Sequence, residues 1–338
     1  MSEGFRPHVL IVIPCRHEAP RIAHKLRNTL ALTYTPKTIV VVDDHSTDQT
    51  VVEAHRFDEA GVAVLQNTGT PGKNTAVAMA LQRFSSELVC VTDADVLVPP
   101  DALGRLVEPF ANPLVGAACG VQRYVTRRQW EQGELVPLPM TPEDRCSHRL
   151  RLFETRLDSI VGLHGQFLLV RRVLDSWVEP GIRCDDVEVG LRVRAKGSRV
   201  VYIPATAFFD LLPSGAVGYS RQRYRRGQAV QACLWRHRAM LFNGRYGWFG
   251  WVCFPLEFLL YVIQPIAVMA MGLGSGWAWM RSEPAQAHAW LLGWAGLGAC
   301  LFIPHLRRYV AVNAALLWGL ITLLVGQRVS DRWDTRSD

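Results

Sequence analysis

Short runs of continuous apolar sequence alternate with helix-like segments in the first hundred residues. The apolar runs are HVLIVIP, KTIVVV, GVAVLQ and ELVCV, and their β-branched residues are typical of strands buried on both faces of a sheet. Between them, apolar residues recur at helical spacing, as Ile22, Leu26 and Leu30 do after the first run. This repeated alternation predicts an α/β fold with a doubly wound sheet of parallel strands.

Aspartates follow the second and the fourth of these predicted strands. Asp43 and Asp44 end the second strand, and Asp93 and Asp95 end the fourth. Ligands of doubly wound sheets bind beyond the carboxyl ends of the strands, so both pairs are expected to line one crevice. Carboxylates this close repel each other unless a cation or a proton lies between them. A helix cap or turn is the alternative, and a buried strand just before the pair favours a ligand role.

The loop TGTPGKNTA invites comparison with a phosphate-binding P-loop. That motif requires GxxxxGK followed by Ser or Thr, whereas this sequence has Asn67 and Asn74 at the two diagnostic positions. The P-loop interpretation is therefore rejected. Lys73 opens a predicted helix beside the crevice, where it either meets a phosphate or is a solvated residue of the helix cap.

Charged residues almost disappear from the sequence between Arg245 and Arg307. Three apolar segments near the end of the chain approach the roughly 20 residues that a membrane-spanning helix needs. They are Phe249 to Gly272, Ala287 to His305 and Tyr309 to Gly326, with tryptophans 248, 251, 277, 279 and 290 in the places of an interfacial belt. We expect a cytosolic domain over residues 1–245, a membrane region of two to three helices over 246–328, and a short polar tail over 329–338.

The number of spans decides on which side the tail lies. Arg307 and Arg308 favour the cytosolic side of the membrane. A third helix would then cross from the cytosolic side to the outside, and the tail would lie outside. If Phe249 to Ile263, with Pro255 and Glu257, lies along the interface instead, two spans remain and the tail returns inside. Either arrangement predicts a multi-pass protein of the inner cell membrane with a cytosolic N-terminal domain.

Charge, cysteine content and the N-terminal segment indicate which partners, cysteine chemistry and cell compartment to expect. The net charge of +7 comes mostly from arginine and suits anionic partners, yet no motif that reads nucleic-acid bases is present. The eight cysteines form no CxxC pair, which indicates free thiols rather than disulfides or zinc. The apolar run in MSEGFRPHVLIVIPC is too short for a signal peptide, consistent with a cytosolic domain.

Seven motifs taken together, in order, resemble family 2 glycosyltransferases of the GT-A fold, over roughly Val9 to Arg226. They are IVIPCRHEA, VVVDDHSTD, GKNTAVAMAL, VTDAD, GLHGQFLLVRR, CDDVEVGLRVRAKGSRVVYIP and QRYRR. The apolar segments that follow resemble the membrane-anchored branch that makes lipid-linked sugars and polysaccharides.

The resemblance implies a role for each matching residue. Glu18, with Asp44 and its neighbour Asp43, would bind the uridine of a UDP-sugar. Asp95 would bind Mg²⁺ or Mn²⁺ through the diphosphate, and Asp93 would be the second metal residue, near the sugar and the nucleotide. Asp186 would be the general base, preceded by Asp185. The remaining donor-binding residues would be Lys73, Gln222, Arg225 and Arg226.

Four positions depart from the family pattern. His17 stands where asparagine is common, His45 where glycine is common, and Asp185 where glutamate is usual. Arg226 replaces the tryptophan of QxxRW, which in the family is a platform for the acceptor sugar. A salt bridge from the Asp185–Asp186 pair to Arg192 or Arg194 is the structural alternative to catalysis, and QRYRRGQ also fits a basic helix beside a membrane.

Sugar transfer explains these residue types. The departing diphosphate gains negative charge that a hard cation or an arginine neutralises, and the acceptor hydroxyl needs a base on the opposite face. We expect inverting transfer of a hexosyl or N-acetylhexosaminyl group from a UDP-sugar to a membrane-associated acceptor, a lipid rather than a saccharide. The alternatives are a processive polysaccharide synthase, a sugar nucleotidyltransferase and a non-catalytic membrane scaffold.

Overall fold

The computed structural model describes residues 4–174, 185–212, 216–281, 313–314 and 316–322, with only the backbone at 174 and 216–225. The described residues belong to two compact units. The first contains residues 4–174, 185–212 and Phe242–Cys253. The second contains 216–241, 254–281 and the short stretches after 312.

A mixed seven-stranded sheet forms the centre of the first unit, in the order β3-β2-β1-β4-β6-β5-β7. Its strands are β1 Val9–Cys15, β2 Lys37–Asp43, β3 Val62–Gln66, β4 Leu88–Thr92, β5 Val115–Val125, β6 Phe167–Arg171 and β7 Arg199–Leu211. The four strands expected from the sequence are confirmed as β1 to β4, and they pair in parallel.

The expectation of a wholly parallel sheet is wrong at β6. This strand lies between β4 and β5 and runs antiparallel to both, whereas β5 and β7 are parallel to each other. The fold is therefore α/β with a mixed sheet. An apolar run such as FLLVR has the side chains of a buried strand in either direction, so its composition carries no information about orientation.

The helices of the first unit cover both faces of the sheet. They are α1 Ala19–Leu30, α2 Thr50–His55, α3 Lys73–Arg83, α4 Ala102–Val107, α5 Arg127–Gln132, α6 Pro142–Leu157 and α7 Asp185–Ala195. Along β1, Ile11 and Ile13 join a core with α1 and α4, while Leu10 and Val12 join a second core with α3. Burial on both faces explains why β1 has no polar alternation.

The second unit contains α8 Ala216–Arg236, α9 Phe254–Phe258 and α10 Gln264–Arg281. A buried side-chain amide on α8 bonds to other helical residues of the same unit. Gln231 Nε2 donates to the carbonyl oxygens of Tyr261 and Leu316, at 2.8 and 2.9 Å. Within the described chain, Phe249–Arg281 is the one helix whose length and apolar composition suffice to cross a membrane.

The other predicted spans are not tested by the structure. Ala287 to His305 and the polar tail lie outside the described residues, and of the third segment only 313–314 and 316–322 are described, as helix. A multi-pass topology thus remains a prediction.

Candidate active site

A lysine and two aspartates meet at the edge of the sheet where β4 ends. Asp93 follows β4, Lys73 is the first residue of α3, and Asp185 is the first residue of α7. Lys73 Nζ lies 2.7 Å from Asp93 Oδ1 and 3.6 Å from Asp185 Oδ2. Only 20% of the Lys73 side chain is exposed, so it is an internal ion-pair partner and not a solvated cap residue.

This ion pair changes how the charges of the crevice balance. Burial lowers the pKa of Lys73, but the carboxylates of Asp93 and Asp185 outweigh it and raise that pKa above its ordinary value. Burial raises the pKa of Asp93, with Asp95 adding to the shift and Lys73 opposing it. In this structure, an internal cation therefore already neutralises part of the repulsion between the two neighbouring aspartates.

Asp44 is fully buried and holds the loop before α3. Its Oδ1 accepts a hydrogen bond from Asn67 Nδ2 at 2.6 Å, and its Oδ2 accepts one from the Gly72 amide at 2.8 Å. Asn67 also accepts from the Gly69 amide at 3.0 Å. The two residues thus order a loop that is built differently from a P-loop.

Asp43 has a different environment from its neighbour. It is 4% exposed, and its Oδ2 accepts a hydrogen bond from the Ser46 amide at 3.1 Å. Its Oδ1 is buried and has no hydrogen-bond partner in the structure as described. A buried carboxylate oxygen of this kind is available to a donor group on a ligand.

Glu18 lies at the N-terminus of α1, with its Oε2 3.0 Å from Arg21 Nη1. Burial, together with the charge of Asp95, raises the pKa of Glu18 to about 7, although Arg21 opposes the shift. The carboxyl group of Glu18 therefore belongs to the same electrostatic cluster as the aspartate after β4.

Two histidines near this cluster have left-handed backbone conformations. The φ angle of His17 is 54° and that of His45 is 62°. Side chains with a Cβ disfavour this region, and glycine and asparagine tolerate it best. The backbone therefore explains why asparagine and glycine are common at these positions in the family that the sequence resembles.

The first turn of α7 presents the second acidic pair. Asp186 is 8% exposed, and its Oδ2 accepts a hydrogen bond from the Gly165 amide at 3.3 Å. A Cβ at Gly165 would lie 3.1 Å from Asp186 Cβ, which is a very tight contact. The first turn of a helix is also a position where acidic side chains are favourable.

The arginines of α7 have other carboxylate partners. Arg192 Nε lies 3.1 Å from Glu188 Oε1, and Arg194 Nη2 lies 3.0 Å from Asp158 Oδ2. Asp185 instead lies within ion-pair distance of Lys73. Each arginine thus has a carboxylate partner outside the Asp185–Asp186 pair, and the choice between catalysis and a structural role for that pair stays a prediction.

Three predicted site residues follow on α8, in the second unit. The side chains of Gln222 and Arg225 lie outside the described part of the chain, and Arg226 is exposed. Their predicted roles remain untested.

Sequence reasoning missed Lys25 and Trp130, which contact the segment around the two aspartates. Lys25 Nζ donates to Thr92 Oγ1, and Trp130 Nε1 donates to the carbonyl oxygen of Asp95. The sequence does contain one sign of Lys25: a lysine lies within the apolar stripe of α1, one turn from Ile22.

The mixed sheet, with acidic groups at its carboxyl edge, agrees with the GT-A fold that the sequence resembles. Residues 10–177 match the family model described as Glycosyl transferase family 2, and the chain belongs to this family. Membership of this family favours sugar transfer over the nucleotidyltransferase and scaffold alternatives.

Two curated relatives give the closer context. The chain is 24% identical over 230 residues to poly-β-1,6-N-acetyl-D-glucosamine synthase of Staphylococcus aureus strain COL, covering 68% of this chain and 56% of that protein. It is 26% identical over 238 residues to an N-acetylglucosaminyltransferase of Mesorhizobium japonicum, covering 65% of this chain and 55% of that protein. The chain thus spans little more than half the length of these relatives.

Among solved structures, the chain is similar to a mannosyltransferase from Pyrobaculum calidifontis, determined in complex with GDP-Man and Mn²⁺. The TM-score is 0.77 at 24% identity, with 96% of this chain and 89% of that chain covered. This likeness establishes the shared fold.

Proposed function

We propose that the chain catalyses inverting, metal-dependent transfer of a hexosyl or N-acetylhexosaminyl group from a UDP-sugar to a membrane-associated lipid hydroxyl. The observation that carries the proposal is the convergence of Asp93 and Asp185 on Lys73 at the carboxyl edge of the sheet. These groups come from three separate segments of the chain, as expected for a site that handles a charged ligand.

Nucleobase recognition falls to Asp43 in this proposal. Its buried Oδ1 is a ready acceptor for the ring N–H of uracil, whereas the oxygens of Asp44 already accept bonds from Asn67 and Gly72. In this proposal Asp43, and not Asp44 as the sequence suggested, contacts the nucleobase. Asp44 holds the loop before α3. Glu18 completes the acidic wall of this part of the crevice.

The diphosphate and a divalent ion belong at Asp93 and Asp95. Mg²⁺ and Mn²⁺ need few carboxylates when phosphate oxygens and water complete their coordination, and no three His, Cys, Asp or Glu side chains cluster within the described residues. The two aspartates therefore fit such an ion. When bound, it neutralises the charge that develops on the leaving diphosphate. The Mn²⁺ complex of the mannosyltransferase with this fold supports the assignment.

Lys73 has two tasks in this scheme. It balances Asp93 before the donor arrives, and its position at the first residue of α3 puts a cation and a helix N-terminus beside the diphosphate. Gln222, Arg225 and Arg226 would add further contacts to the donor.

Asp186 is the proposed general base. It would accept the proton of the acceptor hydroxyl while that oxygen attacks the anomeric carbon from the face opposite the diphosphate. A single displacement of this kind inverts the anomeric centre. Its bond to the Gly165 amide fixes the carboxylate. Asp185, 3.6 Å from Lys73, links the base to the donor side.

A membrane-associated acceptor is supported by the helix Phe249–Arg281. Many of its exposed side chains are large and apolar, as on a surface that contacts lipid; they include Trp251, Leu259, Ile263, Met271, Leu273 and Trp277. Processive synthesis of a polysaccharide is the second candidate, and the similarity to poly-β-1,6-N-acetyl-D-glucosamine synthase favours it.

The test is a donor and acceptor assay on the full chain in detergent or native membranes. Release of nucleoside diphosphate from UDP-GlcNAc, UDP-glucose and GDP-Man is measured with a lipid extract present, in Mn²⁺ or in EDTA. Mass spectrometry then separates a lipid that gains one sugar from a polymer. Turnover that persists in EDTA removes the metal from the proposal, and a polymer product favours the second candidate.

A further inference from the structure

A buried lysine underlies the turn Asp93–Ala94–Asp95, here called the aspartate turn. Lys25, on α1, has no exposed surface. Its Nζ donates hydrogen bonds to Thr92 Oγ1 at 2.8 Å and to the Val96 carbonyl oxygen at 2.7 Å. Because Thr92 precedes Asp93 and Val96 follows Asp95, one ammonium group joins the two ends of the aspartate turn.

Two further contacts hold the main chain of the aspartate turn. The indole Nε1 of buried Trp130, on α5, donates to the carbonyl oxygen of Asp95 at 2.9 Å. The amide of Asp93 donates to the carbonyl oxygen of Gln166 at 3.2 Å. Hydrogen bonds from three different segments thus fix the backbone of both aspartates.

A lysine is an unfavourable choice for this position if packing is its only purpose. Its neighbours on α1, Ile22 and Leu26, are fully buried, and burial lowers the pKa of Lys25 to about 8 against the opposing effect of Cys90 and the two aspartates. Methionine has a similar length and would fill the space without a buried charge. The charged group therefore needs a reason beyond packing.

We propose that Lys25 is a positioning residue of the metal site, which holds the aspartate turn in the conformation that binds a divalent cation with a nucleoside diphosphate. This inference rests on the proposed function, and specifically on a metal ion at Asp93 and Asp95.

Two effects of Lys25 on the metal oppose each other. Its charge repels a divalent cation, whereas its hydrogen bonds fix the turn that carries the ligands. The hydrogen bonds dominate, because two carboxylates and a diphosphate screen the cation, while partners that orient metal ligands typically account for a factor of about 10 to 100 in affinity. Removal of the ammonium group should therefore weaken metal binding.

The experiment measures binding by calorimetry on the full chain in detergent, with Mn²⁺–UDP and Mn²⁺–GDP as probes. The nucleotide that the wild type binds more tightly is used for the variants. Lys25→Met should raise the dissociation constant about tenfold or more. Thr92→Val keeps the ammonium group but removes one acceptor, so it should raise the constant less, by a few-fold.

Asn28 supplies a matched control from the same helix. Its side chain accepts from the Val98 amide at 3.0 Å and donates to the Val98 carbonyl oxygen at 2.9 Å, beyond the aspartate turn. Asn28→Ala should lower the thermal midpoint in EDTA yet leave the dissociation constant within twofold. Trp130→Phe, which removes the indole N–H together with part of the ring, should behave like Thr92→Val.

The outcomes separate this inference from the function on which it rests. If the wild type binds nucleotide equally well in EDTA, the metal leaves the proposed function and the role of Lys25 falls with it. If the wild type needs Mn²⁺ but Lys25→Met binds within twofold of it, or more tightly, the inference alone is overturned. Should Lys25→Met not fold, unchanged binding by both Thr92→Val and Trp130→Phe would overturn it equally.

Discussion

Replacing Lys73 by methionine removes the internal cation of the crevice at nearly constant side-chain length. Lys73 Nζ lies 2.7 Å from Asp93 Oδ1 and 3.6 Å from Asp185 Oδ2. At an effective dielectric constant of about 20, these separations correspond to gross attractions of about 6 and 5 kcal/mol, most of which desolvation of the charges offsets.

The net loss of stability follows from the burial of the pair. Breaking a buried ion pair costs about 3–5 kcal/mol, whereas an exposed pair contributes about 0–1 kcal/mol. The side chains of Lys73 and Asp93 are 20% and 28% exposed, between these limits. We therefore expect Lys73→Met to lose about 2 kcal/mol without metal, a drop of about 4–8 °C in the unfolding midpoint for a domain of this size.

Divalent metal should reverse much of this loss. A cation bound at Asp93 and Asp95 supplies the charge that the variant lacks, and it no longer competes with the lysine. Because a ligand of the native state stabilises it according to its affinity, Mn²⁺ should raise the midpoint of Lys73→Met more than that of the wild type.

The assay is tryptophan-fluorescence melting of the full chain in detergent, with EDTA or with Mn²⁺. Lys37→Met is the matched control, because Lys37 Nζ donates to the carbonyl oxygens of Leu32 and Tyr34 at 2.6 and 3.2 Å and pairs with no aspartate of the crevice in the described structure. The unfolding midpoint of Lys37→Met should lie below that of the wild type by the same amount in EDTA and in Mn²⁺. A Lys73→Met protein that is as stable as the wild type in EDTA, or that gains no more from Mn²⁺, refutes the reasoning.

Three other substitutions test the remaining assignments. Asp186→Asn should lower kcat about 10²–10⁴-fold with little change in donor affinity, and a loss below tenfold in diphosphate release would rule out the base. Asp43→Asn should weaken nucleotide binding by about tenfold or more, since hydrogen bonds to charged groups contribute about 1.5–3 kcal/mol; equal calorimetric affinities would contradict this. For Glu18, the pKa of about 7 lies above its ordinary 4.5, so the folded state binds the extra proton and stability falls as pH rises through this range. Glu18→Gln in EDTA should therefore gain about 2 kcal/mol on the wild type between pH 5 and pH 8, and parallel melting curves would argue against the shift.

The strands β1, β2 and β4 were predictable because most of their residues are buried on both faces, which leaves a continuous apolar run in the sequence. The direction of β6 was not, since its side chains suit either orientation. The choice between Asp43 and Asp44 was also beyond the sequence. Successive residues of a strand point to opposite sides, so neighbouring aspartates face different surroundings that only the folded chain defines.

The positions of single charges depended on distant segments. Lys73 was recognisable as a candidate from its place at a helix start, but its contact with Asp185 joins residues more than a hundred positions apart. Lys25 and Trp130 reach the aspartate turn from helices on either side of it in sequence. Such contacts arise from tertiary packing and leave no periodic pattern.

The reversed strand β6 changes which part of a strand reaches the active site. In a parallel sheet, every strand has its C-terminal end at the edge where the ligand binds. A strand that runs in the opposite direction has its N-terminal end at that edge. Gly165, just ahead of β6, consequently has its carbonyl oxygen 3.1 Å from Lys73 Nζ and its amide nitrogen 3.3 Å from Asp186 Oδ2. The main chain of a single glycine thereby contacts both the lysine proposed to face the diphosphate and the aspartate proposed as general base.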